Sequence, residues 1–541
     1  MMQQQLSYAN GISDIPLKGE TIGQNLRDIA TTFPEREALI SDYQNYRATY
    51  SEFLSQVEQV AKALMAAGIQ RGDRVGIWSP NRYEWVLVQY ATALMGAIMV
   101  NINPGYKLSG LRYALEQSRI DLLIAASHFR KTDYVEMLNE LRKDCLYPKQ
   151  TVIIEHDWER FLESGKAIPD EQLAEREASL QFDDAVNIQY TSGTTGYPKG
   201  ATLSHHNILN NGFFIGERLK YTEKDRVCLP VPFYHCFGMV LGNMAIVTHG
   251  ACIVIPGEFF DPAQVLAVVE KEKCTSLYGV PTMFIAELDL PNLSQYNLKS
   301  LRTGLMAGAP CPIDTMRKVQ SIMNMTEICV CYGMTETSPV STESCTDDPL
   351  ELRVTTVGTV HPHVEIKIIN PETGAIVPRG VPGELCTRGY SVMLGYWDNP
   401  EETKAIIDEK RWLHTGDIAV MDANGYVSIT GRIKDIIIRG GENISPKEIE
   451  DFLIVHEGIS DVQIIGVASE KYGEEVMAWV KPRSGYDISP ESLTEYCKGQ
   501  IATYKIPKYW KFVDSFPMTV TGKIRKVEMR EISEKELGLK R

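Results

Sequence analysis

Positive charge is in short supply in this chain: 55 Lys and Arg stand against 70 Asp and Glu, for a net charge of −15. A nucleic-acid partner asks for a basic footprint and is not expected, whereas a few local cations can still hold small anions. Paired cysteines are missing as well. The eleven are scattered and odd in number, and only Cys329 and Cys331 lie close together, so neither a disulfide framework nor a Cys-x-x-Cys zinc site is indicated. Their period-2 spacing in Ile-Cys-Val-Cys-Tyr puts both on one strand face, as core. Reduced thiols suit a cytoplasmic compartment. Long apolar runs are also lacking. Residues 85–106 form a long uncharged stretch, but Gln89, Thr92, Asn101, Asn103 and Pro104 interrupt it. It reads as a helix up to Gly96 and then a strand, not as a membrane span. The opening Met-Met-Gln-Gln-Gln-Leu-Ser has neither the apolar centre of a signal peptide nor the arginines of a transit sequence, which again favours the cytoplasm.

What is present is length and alternation. With 541 residues the chain exceeds one hydrophobic core, so two or more units are expected. Strand and helix patterns alternate over residues 20–130 and again over 227–281, which implies a layered α/β architecture. The strand expected at 73–78, with the helix and strand after it, makes a strand–helix–strand unit and hence a buried parallel sheet. Residues 156–184 are charged and poorly periodic and read as a surface connection. From about residue 354 to 430 the texture is β-rich with Pro-Gly punctuation, the pattern of a small β-barrel or bent sheet. Beyond it, Ser445-Pro446 and Ser489-Pro490 are good helix openings within a separate α+β domain. The expected division is a large domain over 1–433 and a mobile α+β domain over 434–541, with a hinge at Lys434.

Residues 190–200, Tyr-Thr-Ser-Gly-Thr-Thr-Gly-Tyr-Pro-Lys-Gly, follow a strand-like run at 185–190. Hydroxyls at Thr191, Ser192, Thr194 and Thr195 surround Gly193 and Gly196, and Lys199 adds a cation. Glycines allow the positive φ angles that turn backbone N–H groups inward as an anion-binding nest. The P-loop spacing is absent, because Gly193 and Gly196 are too close and Gly200 follows Lys199. In isolation the segment fits a plain turn equally well.

Six further segments decide its meaning: Pro-Phe-Tyr-His-Cys-Phe-Gly at 232–238, Met-Ala-Gly-Ala-Pro at 306–310, Tyr-Gly-Met-Thr-Glu-Thr at 332–337, His-Thr-Gly-Asp at 414–417, Gly-Arg-Ile-Lys-Asp-Ile-Ile-Ile-Arg-Gly-Gly-Glu-Asn at 431–443 and Pro-Met-Thr-Val-Thr-Gly-Lys-Ile at 517–524. The series resembles the adenylate-forming superfamily of acyl-CoA synthetases, carrier-protein adenylation domains and beetle luciferases, and covers nearly the whole chain. Tyr-Gly-Val-Pro-Thr-Met-Phe at 278–284 and Val-Met-Leu-Gly-Tyr-Trp at 392–397 are most similar to the medium-chain group named acyl-CoA synthetase family member 2.

The resemblance implies that a carboxylate attacks the α-phosphate of ATP to give an acyl-adenylate and pyrophosphate, after which coenzyme A displaces AMP. Negative charge builds up where an anion meets a polyanion, so the site must supply cations and aimed donors. By resemblance, residues 191–196 with Lys199 wrap the terminal phosphates, Thr335 contacts the α-phosphate and Glu336 holds Mg²⁺. Gly308, Ala309 and Pro310 with Tyr332 and Gly333 take adenine; Asp417 and Arg432 take the ribose. Lys523 bridges the carboxylate and the α-phosphate. Rotation about Lys434 then brings Arg439, Gly440 and Gly441 to the thiol arm, and His235 borders the acyl site. Tyr278, Gly279, Met306, Met334 and Val340 supply an acyl pocket of mostly apolar character, which favours a fatty or aryl acid over an amino acid. The partners implied are a small carboxylic acid, ATP and CoA, with a homo-oligomer left open. Three alternatives remain: an aryl-acid CoA ligase, a carrier-protein-loading adenylation enzyme, and a degenerate nucleotide-binding scaffold. The scaffold would have lost at least one of Thr191, Glu336, Asp417, Arg432 or Lys523, and all are present.

Overall fold

The computed structural model describes residues 5–191, 198–309, 311–518 and 524–539. The chain folds into two compact units. One comprises Ala9–Ile366 and Thr387–Leu413, the other Met1–Tyr8, Lys367–Cys386 and His414–Arg541.

The larger unit rests on two sheets. A seven-stranded sheet has the order Gly395–Tyr396, Lys199–Ser204, Ala185–Thr191, Ile98–Asn101, Arg74–Trp78, Leu122–Ala125 and Gln150–Ile153. A nine-stranded sheet has the order Thr359–Val360, Val340–Glu343, Glu327–Gly333, Thr303–Met306, Ser276–Gly279, Arg226–Cys228, Cys252–Ile255, Glu37–Ser41 and Tyr46–Thr49. Helices connect the strands, as the alternation demands. The run at 85–106 is the helix Tyr83–Met95 followed by the strand Ile98–Asn101, which lies parallel to Arg74–Trp78. Every helix residue from Glu84 to Met95 is buried, so its uniform apolarity reflects a helix with no solvent face. Gly96, at φ +79°, ends it. Among the described residues no helix is long and apolar enough to cross a membrane.

Residues 156–184 depart from the expected surface connection. They carry most of the helix Ile154–Ser164 and the helix Asp170–Ala178. Ile154, Trp158 and Phe161 are buried at helical spacing, while Glu155, Asp157 and Glu159 on the remaining face give the segment its charged appearance.

The β-rich segment forms a five-stranded sheet in the order Tyr8–Asn10, Val364–Ile369, Gly383–Gly389, Leu413–Met421 and Val427–Arg432. The C-terminal region builds another five-stranded sheet, with Ile459–Ser469 and Gly473–Pro482 as a long antiparallel pair and Tyr509–Phe512 parallel to the latter. Its helices Pro446–Leu453 and Pro490–Cys497 start where the Ser-Pro pairs indicate. Ser489 caps its helix by accepting from the Ser492 amide. The Ser445 hydroxyl instead donates to the Thr430 carbonyl at 3.0 Å, a competing acceptor that the local sequence does not reveal. All eleven cysteines are free thiols. Cys329 is buried in the same core that Cys331 packs against.

Candidate active site

In the larger unit the strands on either side of the hydroxyl-rich segment pair with each other. Strands Ala185–Thr191 and Lys199–Ser204 are antiparallel with Thr191 opposite Lys199, and the Thr191 hydroxyl donates to the Lys199 carbonyl at 3.3 Å. Gly200 is closely packed: a Cβ there would meet Ile188 at 2.9 Å and Trp397 at 3.4 Å, so a larger residue would force its neighbours to shift. Of the residues expected to bind nucleotide or catalyse, Ser192, Gly193, Thr194, Thr195, Gly196, Pro310 and Lys523 lie outside the described residues.

Tyr332 and Gly333 end the strand Glu327–Gly333, and Thr335 and Glu336 form the 3₁₀ turn that follows. The turn is tightly packed. A Cβ at Gly333 would lie 1.7 Å from the Pro339 carbonyl oxygen, and the Met334 amide donates to that oxygen at 3.0 Å. Thr335 and Glu336 are buried, at 8% and 5% exposure. One carboxylate oxygen of Glu336 accepts from the Tyr396 hydroxyl at 2.7 Å, and the Glu336 carbonyl accepts from the Met393 amide at 2.9 Å. Burial, and then the Glu336 charge, push the Tyr396 phenol far above its ordinary value, so it remains a donor. The Lys199 ammonium lies over the Tyr396 ring, 5.3 Å from its centroid, and pairs with Glu402. Tyr396 therefore joins the cation of the hydroxyl hairpin to the carboxylate of the Thr-Glu turn. Its motif was visible in the sequence, but not this role. No Lys or Arg pairs with Glu336 among the described residues. A buried carboxylate with one oxygen held by a hydroxyl fits a hard divalent cation such as Mg²⁺.

The strand Thr303–Met306 leads into Gly308, at φ +87°, and Ala309. His235 precedes a π-helical segment, Phe237–Met244; its Nδ1 accepts from the Phe237 amide at 3.2 Å, which fixes the ring. The neighbouring Cys236 thiol lies 3.7 Å from the Thr335 hydroxyl, bringing this loop to the Thr-Glu turn. Tyr278 and Val340 share one core with Phe237 and Cys236, and Met334 packs against it. Phe237 stacks on Tyr278 with centroids 5.9 Å apart. Gly279 pairs in register with Met306, but the Met306 side chain packs on the opposite face with Phe284 and Met316. Strand alternation is the reason: Leu305 takes the Tyr278 face, so Met306 cannot. Sequence reading also missed Asn211, whose side-chain amide exchanges two hydrogen bonds with the Val340 backbone at 2.9 and 3.0 Å. The adjacent Asn210 and Asn211, in the middle of the helix His205–Arg218 and next to its apolar residues, are the sequence signal that was available.

In the smaller unit, Asp417 and Arg432 face each other across strands Leu413–Met421 and Val427–Arg432, with the guanidinium Nε 2.8 Å from the carboxylate. Asp417 is nearly buried and Arg432 half exposed, so acceptor oxygens and a half-exposed donor are presented together. Lys434 sits in the 3₁₀ turn Ile433–Asp435. Strands Ile437–Arg439 and Glu442–Ile444 form a hairpin turned by Gly440 and Gly441, at φ +59° and +91°. Two positive φ values in a two-residue loop are the signature of a type I′ turn. Arg439 pairs with Glu475 at 2.6 Å and lies over the Tyr472 ring at 4.3 Å, anchoring the hairpin.

Two family models match the chain: "AMP-binding enzyme" over residues 26–397, and "AMP-binding enzyme C-terminal domain" over residues 448–523. The chain belongs to the AMP-binding enzyme family. Among AMP-binding enzymes it is 47% identical over 531 residues to the putative acyl-CoA synthetase YngI of Bacillus subtilis, covering 94% of this chain and 96% of the relative. It is 44% identical over 554 residues to the mitochondrial medium-chain acyl-CoA ligase ACSF2 of Danio rerio, covering 98% and 91%. Its fold is similar to ATP-bound MatB from Rhodopseudomonas palustris, with a TM-score of 0.83 at 28% identity over 96% of this chain and 100% of that one. It is also similar to the anthranilate CoA ligase AuaEII in complex with anthranoyl-AMP, with a TM-score of 0.84 at 25% identity over 97% and 99%.

Proposed function

We propose that the chain is an ATP-dependent, AMP-forming acid–CoA ligase acting on medium-chain fatty acids through an acyl-adenylate. The observation that carries this reading is the buried Thr335–Glu336 turn, with Glu336 held by Tyr396 and bordered by the Tyr278–Val340 apolar cluster. The names of the 47% and 44% identical relatives support the same chemistry, and the latter supports the chain-length class.

In the first half-reaction, the acid's carboxylate attacks the α-phosphate and pyrophosphate leaves. Thr335 donates to the α-phosphate, while Thr191 and Lys199 with residues 192–196 hold the leaving group. Glu336 would hold Mg²⁺, whose charge would offset that of the phosphates. Gly308, Ala309, Pro310, Tyr332 and Gly333 receive adenine, and Asp417 accepts from ribose hydroxyls with Arg432 beside it. Lys523 reduces the repulsion between carboxylate and phosphate as they close. In the second half-reaction, a domain over 434–541, turning at Lys434, presents Arg439, Gly440 and Gly441 to the pantetheine arm, and His235 lines the thiol's approach. The free thiols support a reducing compartment such as the cytoplasm.

Lys523→Ala tests the assignment. Adenylate formation, read as pyrophosphate release, falls far more than thioester formation from pre-made acyl-adenylate; equal losses overturn the role. A screen of acids from acetate to palmitate, with several aryl acids, tests chain length, and a maximum at either extreme or at an aryl acid rejects the medium-chain reading.

A further inference from the structure

Glu384 and Cys386 stand two residues apart on the strand Gly383–Gly389, so both project from the same face. The next strand in the sheet order, Leu413–Met421, brings His414 against them. The His414 Nδ1 is 2.9 Å from a Glu384 carboxylate oxygen and 3.6 Å from the Cys386 sulfur, and the three ligand atoms all lie within 4.8 Å of one another. A thiol, an imidazole nitrogen and a carboxylate are not the inventory of an ordinary strand face. Cys386 is fully buried and Glu384 nearly so, while the His414 side chain is about one-third exposed. An ion would reach the group past the imidazole.

We infer that Glu384, Cys386 and His414 form a binding site for a borderline divalent cation of the zinc class, with water as the fourth ligand. Sulfur, nitrogen and one carboxylate oxygen around an open position form a donor set that suits this ion. Tetrahedral bonds of about 2.3 Å to sulfur and about 2.0 Å to nitrogen hold those two atoms about 3.5 Å apart, close to the separation present here. The imidazole–carboxylate distance is that of a hydrogen bond. Binding therefore displaces the proton between these groups and moves them apart by a few tenths of an ångström. The supporting contacts suit a preformed site. The second Glu384 oxygen accepts from the Gly416 amide at 3.2 Å, and the Thr415 hydroxyl donates to the Leu385 carbonyl at 2.7 Å, tying the two strands together. Such outer contacts orient ligands as much as the ligands hold the ion. The same Glu384–Gly416 bond would let a bound ion stiffen the strand segment that carries Asp417.

The test titrates the full-length, chelator-stripped protein with Co²⁺, whose thiolate charge-transfer band and intense tetrahedral absorption report sulfur ligation, and then displaces Co²⁺ with Zn²⁺. One equivalent is expected to give both bands. Cys386→Ser abolishes the charge-transfer band, and Cys145→Ser, a cysteine distant in sequence, leaves it intact. Glu384→Gln keeps an acceptor for the Gly416 amide and weakens affinity at least tenfold, in line with the roughly 10–100-fold cost of disturbing metal-site partners. His414→Gln lies nearer the surface and provides the same reading should Cys386→Ser fail to fold. Absence of both bands overturns the site, as does a charge-transfer band that survives Cys386→Ser or an affinity unchanged by His414→Gln. In those cases the three residues are a hydrogen-bonded group only.

Discussion

Two short turns carry much of the proposed chemistry, and they are built in opposite ways. The turn at Thr335–Thr337 is buried: Glu336 is 5% exposed, Tyr396 grips its carboxylate, and Gly333 just before it has no room for a Cβ. The turn at Gly440–Gly441 is open. A Cβ at Gly441 would have no heavy atom within 4 Å, and what demands glycine there is the backbone angle of +91°. The first turn is closed around its own side chains, as befits groups that must be aimed before charge develops. The second leaves space at Gly441 that no described residue fills, which suits the proposed passage for an arm supplied from outside. On the proposed function, the first half-reaction would draw on a preorganised core and the second on an anchored, more open hairpin.

Glu336→Gln should break the comparison most severely. It retains the shape of the buried turn and removes the charge, and loss of such electrostatic stabilisation costs about 10²–10³-fold in rate. Pyrophosphate release at saturating ATP should fall by that factor with the melting temperature little changed. A loss of less than tenfold would show that the buried turn is structural rather than catalytic.

Acid should loosen the larger unit elsewhere. His205, fully buried at the start of the helix His205–Arg218, uses Nδ1 to accept from the Ile22 amide at 3.2 Å. Burial is the main cause that lowers its folded pKa from 6.5 to about 4, with the Asp184 charge opposing it. The neutral ring is the one the fold accommodates. This contribution is therefore fully present above about pH 6.5 and is lost as pH falls towards 4, amounting to about 3 kcal/mol at the lower limit. Denaturant unfolding between those values should show this slope in the wild type and a flatter one in His205→Gln. Equal slopes would place the acid sensitivity elsewhere.

Gly441→Leu probes the open turn. It should slow thioester formation from pre-made acyl-adenylate about tenfold or more while leaving adenylate formation near its original rate, with a left-handed strain of about 1–2 kcal/mol. Gly441→Asn, which tolerates that conformation better, separates strain from obstruction. If Asn, which relieves most of the strain, restores the thiol step to near its original rate, the backbone rather than the open space is responsible.

These contrasts were unequally visible in the sequence. The helix Tyr83–Met95 was legible because an apolar run ending at a left-handed glycine carries its own boundary, and Gly440-Gly441 declares a turn by composition alone. The helix Ile154–Ser164 was hidden because acidic residues separate its three buried positions and its period is short. The Glu336–Tyr396 bond joins residues sixty apart, and no local rule predicts a partner at that distance. Met306 shows the converse limit. The sequence groups it with Gly279, and the two pair in register, but a one-residue step along a strand reverses the face, and only the packing of Leu305 decides which residue points where.

Tyr396→Phe should have the smallest effect and sharpen the comparison most finely. It removes only the hydroxyl that donates to Glu336, leaving the ring beneath Lys199 and the surrounding packing unchanged. A hydrogen bond to a charged group contributes about 1.5–3 kcal/mol, and partial replacement by water brings the expected loss of stability nearer 1 kcal/mol. If the phenol positions the carboxylate for the cation, the Mg²⁺ concentration needed for half-maximal pyrophosphate release should rise several-fold. The maximal rate at saturating Mg²⁺ should stay within about threefold of wild type, because the carboxylate itself remains and metal in excess restores its occupancy. A fall in the maximal rate with no shift in Mg²⁺ dependence would mean that Tyr396 orders the Thr335–Glu336 turn as a whole. Its hydroxyl would then belong to the packing that closes this turn, and the metal-facing geometry would be set by the turn's backbone alone.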